Sequence, residues 1–101
     1  MATKQQSLYE VYADLHKENV AKFGAKTAIF LQVGSFYELY DTQDPSTGDT
    51  NLNIKSLTDD LGLQMAIHKG HAPNNHDGLV AGFPDSHLHR WASKLTSQGW
   101  T

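Results

Sequence analysis

A chain of 101 residues, 39% hydrophobic and 19% charged, has the length for one small domain with a single core and the composition of a folded protein rather than a disordered one. It contains no cysteine, which excludes a disulfide framework and a thiolate metal site. The net charge of −3 argues against a free-standing, nonspecific binder of DNA, which carries a basic surface; that objection weakens if the domain is one part of a larger clamp whose other parts neutralise phosphates.

Residues 4–23 read as an amphipathic helix, with Leu8, Val11, Tyr12 and Leu15 at helical spacing and Gly24 as its stop. Thr27 to Val33 is rich in β-branched and aromatic residues and predicts a buried strand. Gly34 punctuates it, and Phe36 to Tyr40 alternates as a second extended segment. Asp41 to Thr50 is a cluster of turn formers and predicts a loop. Leu52, Ile54, Leu57 and Leu61 predict a short helix closed by Gly62 in the left-handed conformation. Leu63 to Ile67 is a third strand, His68 to Gly78 a polar loop, and Leu79 to Phe83 a fourth strand. Pro84 introduces a last helix with Asp85 or Ser86 as N-cap and Leu88, Trp91, Ala92 and Leu95 as its buried stripe. Helix, two strands, helix, two strands, helix make an α/β domain with a small mixed sheet flanked by helices. The chain stops at Trp100 and Thr101, just after a helix end, where a further strand is expected; it reads as one domain, 1–101, cut before its last strand. No apolar run approaches bilayer length, the start (Met1 to Gln6) has no apolar signal core, and a soluble intracellular protein without membrane contact is the expectation.

The segment Gly34 to Glu38 is the most informative. In an extended chain Phe36 and Glu38 project from one face, about 6.5–7 Å apart, while Tyr37 and Leu39 point into the core. An aromatic ring beside a carboxylate on an exposed edge suits stacking on a base and hydrogen-bonding its edge. The plain alternative is a core Phe36 and a merely solvated Glu38.

Leu31 to Tyr40 resembles the strand–turn–strand signature of the mismatch-recognition domain of the MutS family of DNA repair proteins, usually Gly-Asp-Phe-Tyr-Glu followed by a hydrophobic pair. Ala81 to Pro84 resembles the family's Ala-Gly-aliphatic-Pro segment, and Leu88 to Gly99, with Trp91, Lys94 and Leu95, resembles the helix that follows it. The likeness runs in order over nearly the whole chain. It implies that Phe36 wedges into the minor groove and stacks on a mispaired base, and that Glu38 hydrogen-bonds that base, with Gly34 and Ser35 as the supporting turn. Wedging kinks the duplex at a weakened step, so deformability supplies the discrimination. The partner implied is double-stranded DNA with mismatches or small unpaired loops.

In the family, ATP hydrolysis with magnesium and dimer formation belong to distant domains, so no catalytic residue and no cofactor is assigned here. The chain contains no nucleotide-binding loop. Departures from the pattern are Ser35 in place of Asp, Asp85 and Ser86 in place of Tyr-His, and the 41–50 loop; they point to a divergent viral or organellar branch. The compartment implied is cytoplasmic for a bacterial or viral protein, and an organelle or the nucleus otherwise.

Lys69, Arg90 and Lys94, with Lys55, are candidate phosphate contacts. His68, His71, His76, His87 and His89, with Asp77 and Asp85, form a second constellation. Imidazoles and carboxylates hold zinc or copper, so the second reading is a His-rich metal-binding domain. The plain one is solvated loop histidines with no metal, because His87 and His89 point apart on a helix. A third reading is a MutS-like fold kept only for protein interaction. Tyr9, Tyr12, Phe23, Phe30 and Trp91 are assigned to packing; Trp100 is left unassigned.

Overall fold

The computed structural model describes residues 7–101. The elements follow the predicted order: α1 (Leu8–Phe23), β1 (Leu31–Val33), β2 (Phe36–Gln43), α2 (Ile54–Leu61), β3 (Ala66–His68), β4 (Asp77–Pro84) and α3 (Leu88–Ser97). The part of the predicted first helix before residue 7 lies outside the described residues. Ser7 itself is extended and acts as N-cap, sharing a capping box with Glu10.

The sheet runs β1-β2-β4-β3, antiparallel at every named pairing. Outside the named strands, Ala28 N donates to Thr101 O and Thr101 N to Lys26 O, both at 2.9 Å. Residues paired across antiparallel strands share a face, so β2 and β4 sort cleanly. Leu39, Asp41, Leu79, Ala81 and Phe83 lie on one face and are all buried. Asp41 binds the start of α2, and Phe83 packs on Trp91 of α3 with ring centroids 5.8 Å apart. On the opposite face only Tyr40 and Gly78 of the β2–β4 pairs are buried, with Tyr9 and Tyr12 of α1 edge-on to Tyr40 at 5.4 and 5.9 Å. Of the other residues on that face, Phe36 and Gly82 are exposed, and Glu38, Thr42, Val80 and Pro84 are half-buried.

Several boundaries move for identifiable reasons. The first strand is Leu31–Val33 rather than 27–33, because the preceding backbone bonds elsewhere: Ile29 O accepts the Tyr12 hydroxyl at 2.7 Å, and Ala28 pairs with Thr101. Strand β3 starts at Ala66 rather than Leu63, since Leu63 N still closes α2 onto Thr58 O while Leu63 and Met65 pack on the core. Neither Asp85 nor Ser86 caps α3; both lie in a short 3-10 turn, and Asp85 N donates to Ser35 O at 2.8 Å. The buried positions of α1 are Tyr12 and His16, whereas Leu8 is exposed; the helix is rotated to bring its Tyr9–Tyr12–His16 row inward. Phe23, assigned to packing, is 60% exposed, because residues 21–26 all lie outside the core. Trp100 is buried, donating from Nε1 to Asp60 at 3.0 Å.

The expected loop at Asp41 begins later. Asp41 is still strand and is 2% exposed. Its Oδ1 accepts Thr42 N at 2.8 Å and Leu52 N at 2.9 Å, and its Oδ2 accepts Ile54 N at 3.0 Å, in the first turn of α2. The carboxylate thus ties β2 to α2 and faces the positive end of the helix. Replacing Asp41 with Ala strands these donors and should cost about 3 kcal/mol, the upper range for a hydrogen bond to a charged group, read as a lower thermal midpoint.

His16 is 9% exposed, stacks on Tyr12 at 6.2 Å, and its Nδ1 has no hydrogen-bond partner among the described residues. Burial pushes its pKa below the ordinary 6.5, with Asp41 opposing and Lys17 reinforcing the shift. The unfolded chain therefore binds this proton more readily. Stability linked to His16 is fully present above pH 6.5 and is lost as pH falls through that value toward the lower folded one. His16→Phe should flatten this part of the pH dependence of the melting temperature.

Candidate nucleic-acid interface

Val33 pairs with Phe36 across a two-residue turn made by Gly34 and Ser35. Gly34 has φ of 60°, and Ser35 is not among the residues of positive φ. Glycine first with a residue of negative φ after it is the II′ pattern, whose twist suits a tight hairpin. The hairpin is anchored to the far end of β4, where Ser35 O accepts Asp85 N and Phe36 pairs with Pro84. Phe36 is consequently held at a fixed corner of the sheet, and its ring is 46% exposed.

Phe36, Glu38 and Tyr40 follow one another along the Tyr40 face. Tyr37 and Leu39 face the other way: Tyr37 lies 5.9 Å from Phe83, and Leu39 is fully buried. Glu38 sits across from Gly82. A Cβ at position 82 would fall 2.9 Å from Tyr37 O and 3.3 Å from Glu38 Cγ, so only glycine there lets the glutamate stem lie flat over β4. The Tyr40 hydroxyl donates to Glu38 Oε1 at 2.6 Å, the short distance of a charge-assisted bond. Burial, then that hydrogen bond and the Glu38 charge, hold the Tyr40 phenol far above its ordinary range. Tyr9 is raised in the same direction by burial and then by Glu38. Both phenols therefore remain protonated at neutral pH.

The basic residues do not converge on this corner. Lys69 is exposed beyond β3, by the Gly78 end of β4, about 20 Å along that strand from Pro84 at 3.3 Å per residue. The Arg90 guanidinium lies 5.5 Å over the Trp91 ring. Lys94 lies 5.6 Å from the same ring and donates from Nζ to Leu61 O at 2.7 Å, at the C-terminal end of α2. Lys55 pairs with Asp59 at 2.9 Å. Among the histidines, His68 and His71 have ring centroids 5.7 Å apart, and Asp77 accepts Gly70 N. Among the described residues no three His, Asp or Glu side chains gather so as to hold a metal ion, and no helix is long and apolar enough to cross a membrane.

In comparisons with known proteins, the chain matches no family model and none of the curated proteins.

Two members of the candidate site escape a reading of the sequence alone. Tyr40 carries a signal, since it stands two residues past Glu38 and so on the same face of a strand. Gly82 carries none, because only the β2–β4 register places it under the glutamate. In Glu38→Gln the charge and the acceptor strength beside Tyr40 are both reduced. The Tyr40 phenol should then titrate closer to its ordinary value by ultraviolet absorbance, though still above it because burial remains.

Proposed function

We propose that this chain is a mismatch-reading domain of the MutS type, which recognises mispaired or unpaired bases in double-stranded DNA without chemistry of its own. Phe36 is the wedge that enters the minor groove at a weakened step, and Glu38 is the group that hydrogen-bonds the displaced base. The observation that carries this reading is a half-exposed Phe36 at a braced hairpin corner, on the same face as Glu38. An apolar ring that opens a base step must be accessible and carried on a backbone that does not shift under load; Phe36 is half exposed, and its strand is paired with β1 and β4. Unstacking costs a few kcal/mol, and less where pairing is already broken, so discrimination follows from deformability rather than from reading each base.

The net charge of −3 fits a domain whose phosphate contacts are mostly made by other parts of a larger, dimeric, ATP-hydrolysing clamp inside the cell. Lys69, Arg90 and Lys94 contribute at most weak steering in this reading.

Phe36→Ala in the longest natural form should abolish the preference for a mismatched over a perfectly paired duplex. Stacking of one base on an aromatic ring is worth about 1–3 kcal/mol, so the preference should fall roughly 5- to 150-fold with little change in melting temperature. Preserved discrimination in this variant, or a fold that collapses without any effect on DNA, would remove the proposal.

A further inference from the structure

His16 is a buried polar ring with no hydrogen bond of its own. It stacks on Tyr12; its Nδ1 is enclosed without a partner, and its Nε2 makes no hydrogen bond among the described residues. The same ring lines a cavity of about 270 Å³ between the second half of α1, the start of α2 and Trp100. Ile54, Leu57 and Trp100 are buried and form its floor, while Ala25, Asn53 and Ser56 are exposed at its rim. The Trp100 Nε1 hydrogen is already donated to Asp60, so the indole offers the cavity only its ring. The cavity shares no residue with the row of Phe36, Glu38 and Tyr40.

These walls suit one kind of guest. A water molecule needs two to four polar partners, and at the buried end of the cavity only the imidazole is on offer. Burial lowers the His16 pKa, with Asp41 opposing and Lys17 reinforcing the shift, so at neutral pH the ring carries one N–H and one bare nitrogen. A half turn about its Cβ–Cγ bond keeps the ring stacked on Tyr12 and presents either nitrogen to the cavity. A hydroxyl answers both, because it donates to the bare nitrogen or accepts from the N–H. A charged group against Ile54 and Leu57 would lose its water without gaining a counter-ion, and the Asp41 carboxylate, close enough to act on His16, repels an anion. The volume lies just below the roughly 300–1,000 Å³ of sites for drug-sized molecules, which sets the guest at about one ring. We propose that this cavity binds a small uncharged molecule, a hydrocarbon ring bearing one hydroxyl, with His16 as its hydrogen-bonding residue and Leu57 and Trp100 as its apolar walls. The site is independent of the mismatch-reading assignment above.

The test uses p-cresol and p-xylene, which have nearly the same shape and differ by a hydroxyl in place of a methyl. Each is titrated at neutral pH into the isotope-labelled protein, and the indole N–H resonance of Trp100 is followed with that of Trp91 as the internal control. In wild type p-cresol should bind saturably at one site and shift Trp100 but not Trp91. His16→Phe keeps a flat ring beside Tyr12; in this variant the ratio of p-cresol to p-xylene affinity should fall about fivefold, the scale of one neutral hydrogen bond. Comparing the ratio between the two proteins cancels the different solubilities of the two probes. Ala25→Phe at the exposed rim should close the mouth and abolish saturable binding of both, with the melting temperature of the free protein unchanged. No saturable shift at Trp100 in wild type, or the same affinity ratio in a folded His16→Phe, overturns the proposal. Should His16→Phe fail to fold, undiminished p-cresol binding by Ala25→Phe overturns it instead.

Discussion

The buried carboxylate of Asp41 governs the placement of everything on the opposite face of the sheet. It sits in β2 with three backbone N–H groups around it, two of them from the segment that starts α2. A buried charge is tolerated only where such donors are supplied, so the strand has one position in which Asp41 is satisfied. Side chains alternate along a strand, and a slip of one residue would exchange its faces. With Asp41 and Leu39 committed to one face, Phe36, Glu38 and Tyr40 are committed to the other, where α1 covers Tyr40 and leaves Phe36 exposed. The anchoring of a loop and helix on one side of the sheet thereby fixes the candidate interface on the other.

The face that carries Phe36, Glu38 and Tyr40 is graded along its length. At one end Tyr40 is enclosed by the aromatic rings of α1; at the other Phe36 stands clear, and Glu38 lies between them with its stem over Gly82. The grading makes one end rigid and the other accessible. Accessibility alone does not distinguish Phe36, since Leu8, Phe23 and Ile67 are also exposed. What sets Phe36 apart is the combination of a II′ hairpin, the bond from Asp85 N to Ser35 O, and a hydrogen-bonded carboxylate on the same face.

The charged groups elsewhere serve mainly local structure. Lys94 caps the carbonyl end of α2, Arg90 lies over Trp91, and Lys55 is paired along its own helix. These arrangements explain how a chain with a negative balance carries basic residues without a continuous basic surface. The histidines are dispersed in the same way, and the most constrained of them is His16, stacked under Tyr12 and away from the polar loop that drew attention in the sequence.

Local rules read directly from the residues were enough for the order of elements, the left-handed Gly62 after α2, and the shared face of Phe36 and Glu38, because helix and strand periodicity are properties of neighbouring positions. The plain alternative of a core Phe36 was decided only by the fold, since whether a strand face is covered depends on where α1 crosses it. The same holds for strand ends: Thr27 to Phe30 has a strand's composition, yet its backbone groups are taken by Tyr12 and Thr101. Asp41 shows the limit most clearly. In sequence it heads a run of turn formers, and only the approach of Leu52 and Ile54, 11 and 13 residues later, turns it into a buried strand residue. Periodicity specifies which side chains share a face; long-range hydrogen bonds and packing decide which face meets water.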